Sequence, residues 1–376
     1  MGGPPSDRCG YTWPEDHKVG DRPNHQSCCW RESVDGSDRC IWHVDSDEVS
    51  KTVDTLQEAR APPEIREQNS PMDELLDGAK LSKIELCDRI SFETVSLRES
   101  DLSNTNLADA ILVNADLTYS NLWHANLSRA DLEQIDFSDA DLERAELTDA
   151  SLFRADFTDA SLFGADLTDA RLFSANFLDA TLIHADLSST DLQDVDLSSA
   201  DLRETTITDV SVNGATTCKR LHEDSDFNSG DWDATARAYH DLKTTFNDHG
   251  LVGKARDMHV RERRARSLEA KSAGGILNRR YLGSLPARIF TGYGVRVRNL
   301  LFWMLLLFLI PTAIYAFAGV EETFLRNVSY SILAFTVAPP HIPSDPGVQL
   351  IMMIQTFLGT LSIVLLGYIL GNRERF

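Results

Sequence analysis

Residues 140–164 read ADLER AELTD ASLFR ADFTD ASLFG. Split this way, the stretch has a step of five. Leu or Phe stands at the centre of each unit, with Ala two residues before it. Followed outward, the step runs from Phe92, Leu97 and Leu102 to Leu202, Ile207 and Val212 without a break, giving 25 consecutive central positions. The residue before the centre is mostly Asp or Asn, as at Asp116, Asn121, Asn126, Asp131, Asp166 and Asn176. The unit is A-(D/N)-L-x-x. A period of five fits neither the helical period of about 3.6 nor the strand period of about 2. Self-similarity at a fixed period marks a repeat architecture.

The pentads resemble the pentapeptide-repeat family. That resemblance implies a right-handed quadrilateral β-helix with one pentad per side, hence about six coils and roughly 30 Å of rod at strand spacing. The physics of the motif agrees. A narrow solenoid has space for one large and one small apolar side chain per side, which the central Leu or Phe and the preceding Ala supply. A larger residue at the Ala position overpacks, at about 1–3 kcal/mol. Both ends of such a stack need caps. Cys87 stands five before Phe92 and reads as core of an imperfect first pentad.

The outside of the rod is acidic. From Phe92 to Thr216 there are 25 Asp and Glu against 6 Arg and no Lys, a net of −19 out of −22 for the whole chain. Some acidic pentapeptide-repeat proteins mimic duplex DNA, which would point to a DNA-handling enzyme as partner. The other reading is solvation. With 28 Arg, 8 Lys and a large excess of Asp, the chain looks like the salt-adapted proteome of an extreme halophile. Solvation is the expectation here. The residue after the centre is apolar at Val113, Trp123, Phe153, Phe163, Phe173 and Ile183. Trp123, Phe153, Phe163 and Phe173 form a candidate partner surface. Side chains lying over their own coil would account for the same pattern.

Four of the six cysteines fall in the first 40 residues. Cys40 and His43 form a Cys-x2-His pair, and Cys9 and Cys28 complete a four-ligand set for a structural Zn2+. Cys29, His17 and His25 are alternative ligands. A reducing cytoplasm disfavours disulfides, and the polar N-terminus has no apolar signal region. Ala61-Pro62-Pro63 and Ser70-Pro71 interrupt any longer element beyond this module, so residues 49–86 read as a linker with one short helix.

After the rod, Trp232, Ala236, Tyr239, Leu242 and Phe246 recur at helical spacing. His249-Gly250 gives a stop, and a second helix runs from about Leu251 to Glu269, an αα-hairpin. From Lys254 to Arg298 the charge reverses, with 12 Lys and Arg against 3 acids. This stretch leads into an apolar segment, so an anionic bilayer fits it better than nucleic acid.

Leu300 to Val320 and Val348 to Leu370 are each apolar for more than the about 20 residues a membrane span needs. Arg296 and Arg298 precede the first, Arg373 and Arg375 follow the second, and the loop between holds only Arg326. Positive-inside logic puts both termini in the cytoplasm. Val328 to Thr336 is semi-apolar and reads as a re-entrant half-helix. With Ser329-Tyr330-Ser331, Phe335-Thr336 and a mid-span Gly359, the order helix, half-helix, loop, helix resembles the two-helix potassium-channel pore module. That likeness implies a homotetramer, a pore loop over Thr336, Val337, Ala338, Pro339, Pro340 and His341, and a hinge at Gly359. The family filter T-V-G-Y-G is absent. Two prolines fix φ where glycines would turn carbonyls toward an ion.

The fold class is therefore mixed and multidomain: a quadrilateral β-helix, an αα-hairpin and a two-span transmembrane module. The expected divisions are 1–48 (Cys/His module), 49–86 (linker), 87–216 (rod), 217–270 (hairpin), 271–298 (basic juxtamembrane segment) and 299–376 (membrane module). No enzyme signature is present. The functional expectation is a channel-like cell-membrane protein with a cytoplasmic sensor or interaction rod. A non-conducting anchored scaffold is the alternative.

Overall fold

A computed structural model describes residues 34, 39–45, 51–52, 55–56, 59, 74–86, 91–218, 232–286, 288, 293, 297–336, 339 and 341–371. The chain divides into two compact units, 1–251 and 252–376.

In the first unit the five-residue step becomes a rod of parallel coils. The residue before each centre pairs with the one 20 positions on, as in Asp141↔Ser161, Ser161↔Thr181 and Thr181↔Asp201. Four pentads therefore make one coil. In residues 165–169 every backbone N–H finds a partner. Ala165 donates to Leu162 O (3.1 Å) and Asp166 to Ala145 O on the preceding coil (3.0 Å). Leu167 donates to Asp186 O (2.8 Å) and Asp169 to Ser188 O (3.0 Å), both on the following coil. The remaining N–H, of Thr168, donates to the Asp166 carboxylate at 2.9 Å. Buried backbone groups must be paired, and this unit pairs all five.

The centres are buried, and Phe137, Phe157 and Phe177 stack through three coils at 5.3 and 4.7 Å. Burying one such side chain is worth about 1.5–3 kcal/mol. An exposed pair such as Arg129–Asp109 is worth about 1 kcal/mol or less. Coil stacking carries the rod.

The rod starts earlier than the pentad phase indicates. Glu74–Leu75 (β1) pairs in parallel with Val95–Ser96 (β2), and Lys80 and Glu85 bridge to Asp101 and Asn106. Leu76, Leu81 and Leu86 are fully buried centres. These pairs are 21 apart, so one extra residue lies between Leu86 and Phe92. The core position of the pentad before Phe92 is thus Leu86. Cys87, expected in the core, lies outside the described residues. Residues 74–86 are coil rather than linker, and the rod has about seven coils rather than six. At the far end Asp196↔Thr217 is also 21 apart. Asn213 takes up the extra residue, accepting from Ala215 N and Thr216 N at 2.8 and 3.1 Å.

The start of the rod is capped. Lys80 N–H donates to Trp42 O at 2.6 Å, and the buried Trp42 meets Phe92 edge-on at 6.3 Å. The described part of the Cys/His segment is therefore the cover of the first coil. Near the other end, helix α1 (Trp232–Asp248) buries Trp232, Ala236, Tyr239, Leu242 and Phe246, the expected stripe. Its Arg237 donates to Glu204 of the rod at 2.6 Å.

The second unit holds α2 (Val252–Gly274), α3 (Arg279–Pro286), α4 (Val297–Ala318), α5 (Phe324–Thr336) and α6 (Pro346–Gly371). The boundary between units falls between α1 and α2. The two helices read as one αα-hairpin thus belong to different compact units, and the second runs on to Gly274.

One local constraint does not show as a period. The second residue after each centre is left-handed, as at Asp139 (φ 58), Asp149 (φ 60) and Asp169 (φ 59). These positions hold no Val or Ile from Thr94 to Asp209. A Val or Ile side chain there is strained. Asp149→Val is expected to cost about 1–2 kcal/mol, and Asp149→Gly to change stability little, in denaturant titrations of the two variants. Equal losses would contradict the left-handed corner.

Candidate functional site

Helices α4 and α6 are long and apolar enough to cross a membrane, over Arg298–Ala318 and Pro346–Leu370. Many of their large side chains face outward, among them Phe302, Leu305, Leu309, Met353, Ile354 and Phe357. Helix α5 packs against both. Tyr315 of α4 meets Tyr330 of α5 edge-on at 5.1 Å.

Polar groups tie the three helices together. Tyr315 donates its hydroxyl to Gln355 Oε1 at 2.7 Å, and Gln355 Nε2 donates to Ser331 Oγ at 2.7 Å. The Ser331 hydroxyl reaches Phe308 O on α4 at 3.4 Å. All three side chains are buried. In an apolar bundle such groups must find partners, and interhelical bonds of this kind contribute about 0.6–2 kcal/mol each.

The turn into α5 is locked by Asn327, which donates to Glu321 O (2.9 Å) and Thr323 O (3.1 Å) and accepts from Glu321 N (3.2 Å). At the far end of α5, Phe335 O lies against Gly359. A Cβ at Gly359 would stand 2.3 Å from that oxygen. Gly359 sits inside an unbroken α6 and there serves close approach. The return segment comes back beside the start of α5. Tyr330 donates its hydroxyl to His341 O at 2.8 Å, and His341 Nδ1 is 3.8 Å from Glu321 Oε1. Asp345 then caps α6, accepting from Gly347 N and Val348 N at 2.8 and 2.9 Å.

The residues expected as a pore loop are placed in part. Thr336 closes α5 with its hydroxyl donating to Ile332 O at 2.8 Å. Pro339 borders an open groove on α6 with Met353, Thr356, Phe357, Thr360 and Val364. Val337, Ala338 and Pro340 lie outside the described residues. The contribution of Tyr315, Ser331 and Gln355 is not read from the sequence. A signal for it exists, since Gln355 is one of only two strongly polar residues in an apolar run.

Of the metal-ligand set, Cys9 and Cys28 lie outside the described residues. Cys40 and His43 are buried and adjacent, with Cys40 Sγ 3.2 Å from His43 Nδ1. His43 Nε2 faces Asp77 O at 2.9 Å, so Nε2 carries the proton and Nδ1 presents its lone pair to Cys40. Lys51 donates to Val44 O at 2.5 Å, and burial pushes its ammonium down to about 8. Among the described residues no group of three or more metal-ligating side chains comes together.

On the rod, Phe153 and Phe173 stack at 5.6 Å, and Arg154 lies over Phe153 at 4.9 Å. Phe163 meets His184 edge-on at 5.3 Å. These three Phe are half-buried over neighbouring coils, while Trp123 is 39% exposed.

The repeats match the pentapeptide-repeat family in eight copies, over residues 96–134, 130–169 and 170–214. Residues 96–214 are a pentapeptide-repeat domain. Several solved structures are similar to part of the chain. One is HetL of the cyanobacterium Nostoc sp. strain PCC 7120, involved in heterocyst differentiation regulation. It is 31% identical over 39% of this chain and 83% of its own, with a TM-score of 0.29. Another, from the thylakoid lumen of Arabidopsis thaliana, is 28% identical over 28% of this chain and 68% of its own, with a TM-score of 0.16. The plasmid-mediated fluoroquinolone resistance protein QnrB1 is 16% identical over 38% of this chain and 87% of its own, with a TM-score of 0.24. No curated protein sequence matches the chain significantly. The pentapeptide-repeat domain is thus joined here to a C-terminal helical unit with two apolar helices.

Gly359→Ala is expected to push α5 from α6 and lower stability by about 1–3 kcal/mol. Gly367→Ala, with no atom within 4 Å of the added carbon, is the control and should be silent. Thermal unfolding of both variants in detergent is the measurement, and equal melting temperatures would contradict the contact.

Proposed function

We propose that the C-terminal unit is a re-entrant pore module, and that the protein is a channel-like membrane protein with a cytoplasmic pentapeptide-repeat domain. One observation carries this reading. The end of α5 meets α6 at Gly359, which lies about 20 Å along α6 from Pro346 and about 18 Å from Gly371. The short helix thus enters beside Glu321, stops at mid-span, and its chain returns to His341 beside Tyr330. Non-helical backbone at that depth is tolerated only where protein or an aqueous cavity surrounds it.

Two spans and a half-helix do not enclose a pore alone, so the reading takes four copies around an axis lined by α6. The carbonyl end of α5 carries the negative end of its dipole, which favours a cation there. Glycines are missing after Thr336, so no preference for potassium over sodium is expected. Both termini lie in the cytoplasm, where the acidic rod serves as sensor or partner platform. The reading includes no catalytic step. Reconstituted protein should conduct cations in planar bilayers, and native mass spectrometry in detergent should give four copies. A tetramer that leaves the bilayer tight would support a second reading, the anchored scaffold, which the Pro339-Pro340 pair favours.

The N-terminal cap adds a structural zinc to this proposal. The lone pair of His43 Nδ1 and the Cys40 thiol converge, and the Asp77 carbonyl holds the imidazole tautomer as an outer partner does in zinc sites. Cys9 and Cys28 would supply the remaining ligands. Metal analysis of the purified protein should find one zinc per chain, lost in Cys40→Ser and in His43→Ala. A zinc-free wild-type protein would overturn it.

A further inference from the structure

Helix α2 ends in a tight turn that presents apolar side chains outward. Gly275 takes φ 70 and its N–H donates to Lys271 O at 2.7 Å. The Asn278 N–H then donates to Gly275 O at 3.1 Å, closing the turn around Ile276 and Leu277. Asn278 next caps α3, accepting from Arg280 N at 2.9 Å. Ile276 is 66% exposed and Leu277 83% exposed, and Leu282 on α3 is 42% exposed. No residue of α3 is buried. The helix is nonetheless held to α2, with the Ser267 and Ser284 hydroxyls 2.7 Å apart. A braced turn with bare Ile and Leu at its tip gives up about 25 cal/mol for each Å² of apolar surface it leaves in water.

The charge around this tip has one sign. Lys271, Arg279 and Arg280 are exposed, and no acidic residue occurs from Ala270 to Arg298. The tip is also tethered. Only residues 287–296 separate Pro286 from the first apolar helix, a reach of at most about 35 Å even fully extended. Apolar side chains flanked by bases, a short tether from a membrane span, fit one partner: the surface of an anionic bilayer.

We propose that Ile276, Leu277 and Leu282 insert at the boundary of headgroups and acyl chains, while Lys271, Arg279 and Arg280 hold anionic phospholipid headgroups. This surface rests on the membrane reading of the C-terminal unit and adds a lipid-binding element outside the spans.

The test is photo-cross-linking of the full chain in vesicles. The photo-reactive amino acid benzoylphenylalanine replaces Leu277 in one variant. In a second it replaces Phe302, which is 56% exposed on α4. Vesicles are phosphatidylcholine alone or mixed with phosphatidylglycerol, and lipid adducts are read by mass spectrometry. Both positions should give lipid adducts. The yield at 277 should rise roughly fivefold with the anionic lipid, and Arg279→Gln with Arg280→Gln should remove most of that rise. Adducts at 302 but none at 277 would overturn the inference and leave the membrane reading standing. Adducts at neither would bring down both. Equal yield at 277 in the two vesicle types would overturn the headgroup contact.

Discussion

At fifteen corners of the rod the backbone N–H just after the central residue donates to the Asp or Asn side chain just before it. Thr118 to Asp116, Trp123 to Asn121, Ser138 to Asp136 and Thr168 to Asp166 repeat it at 2.9 to 3.0 Å. The chain turns there and has no backbone acceptor for that N–H. Asp and Asn side chains satisfy a group two residues on by their length and planarity. Of the other four N–H groups, three point to adjacent coils and stack coil on coil, while the Ala N–H closes a turn within its own coil. Without this bond the corner would hold an orphaned donor, at about 1–3 kcal/mol each.

This bond also changes what the acidity of the rod means. Among the described residues eleven aspartates from Asp101 to Asp201 close a corner in this way. Asn106, Asn121, Asn126 and Asn176 do the same without charge. Where the corner is closed in this way the bond uses a short planar acceptor, and charge is optional. The outward carboxylates are different. Asp139, Asp159 and Asp179 stand one coil apart in a column, and partial desolvation, then its two neighbours, hold the Asp159 carboxyl above the usual carboxylate range. Ionised at neutral pH, such a group costs stability that acid or salt relieves. The column thus runs against stability and with solubility, as a solvated acidic surface does.

The C-terminal helical unit solves the opposite problem. Its helices expose apolar side chains and bury their polar ones. Tyr315, Gln355 and Ser331 join α4, α6 and α5 in one chain of donors and acceptors. Gly359 lets the α5 carbonyl end approach α6. Each device fixes the short helix in one position and one rotation against the two long ones.

The repeat step, the Ala and Leu core, the helical stripe of α1 and the two apolar helices were legible in the sequence because each is a periodicity or a run. The phase of a period is local, so reading it cannot see an inserted residue. The extra residue between Leu86 and Phe92 shifted the start of the rod out of register, and only the parallel pairing of Glu74 with Val95 recovered it. The left-handed corners were encoded as the absence of Val and Ile, a signal weaker than a repeat. The boundary between α1 and α2 followed from which side chains pack together across the chain, which spacing does not contain. The same holds for the meeting of Phe335 with Gly359, and of His43 with Asp77. Local pattern determined which elements form. Long-range contacts between residues far apart in sequence decided where each element stops and what it touches.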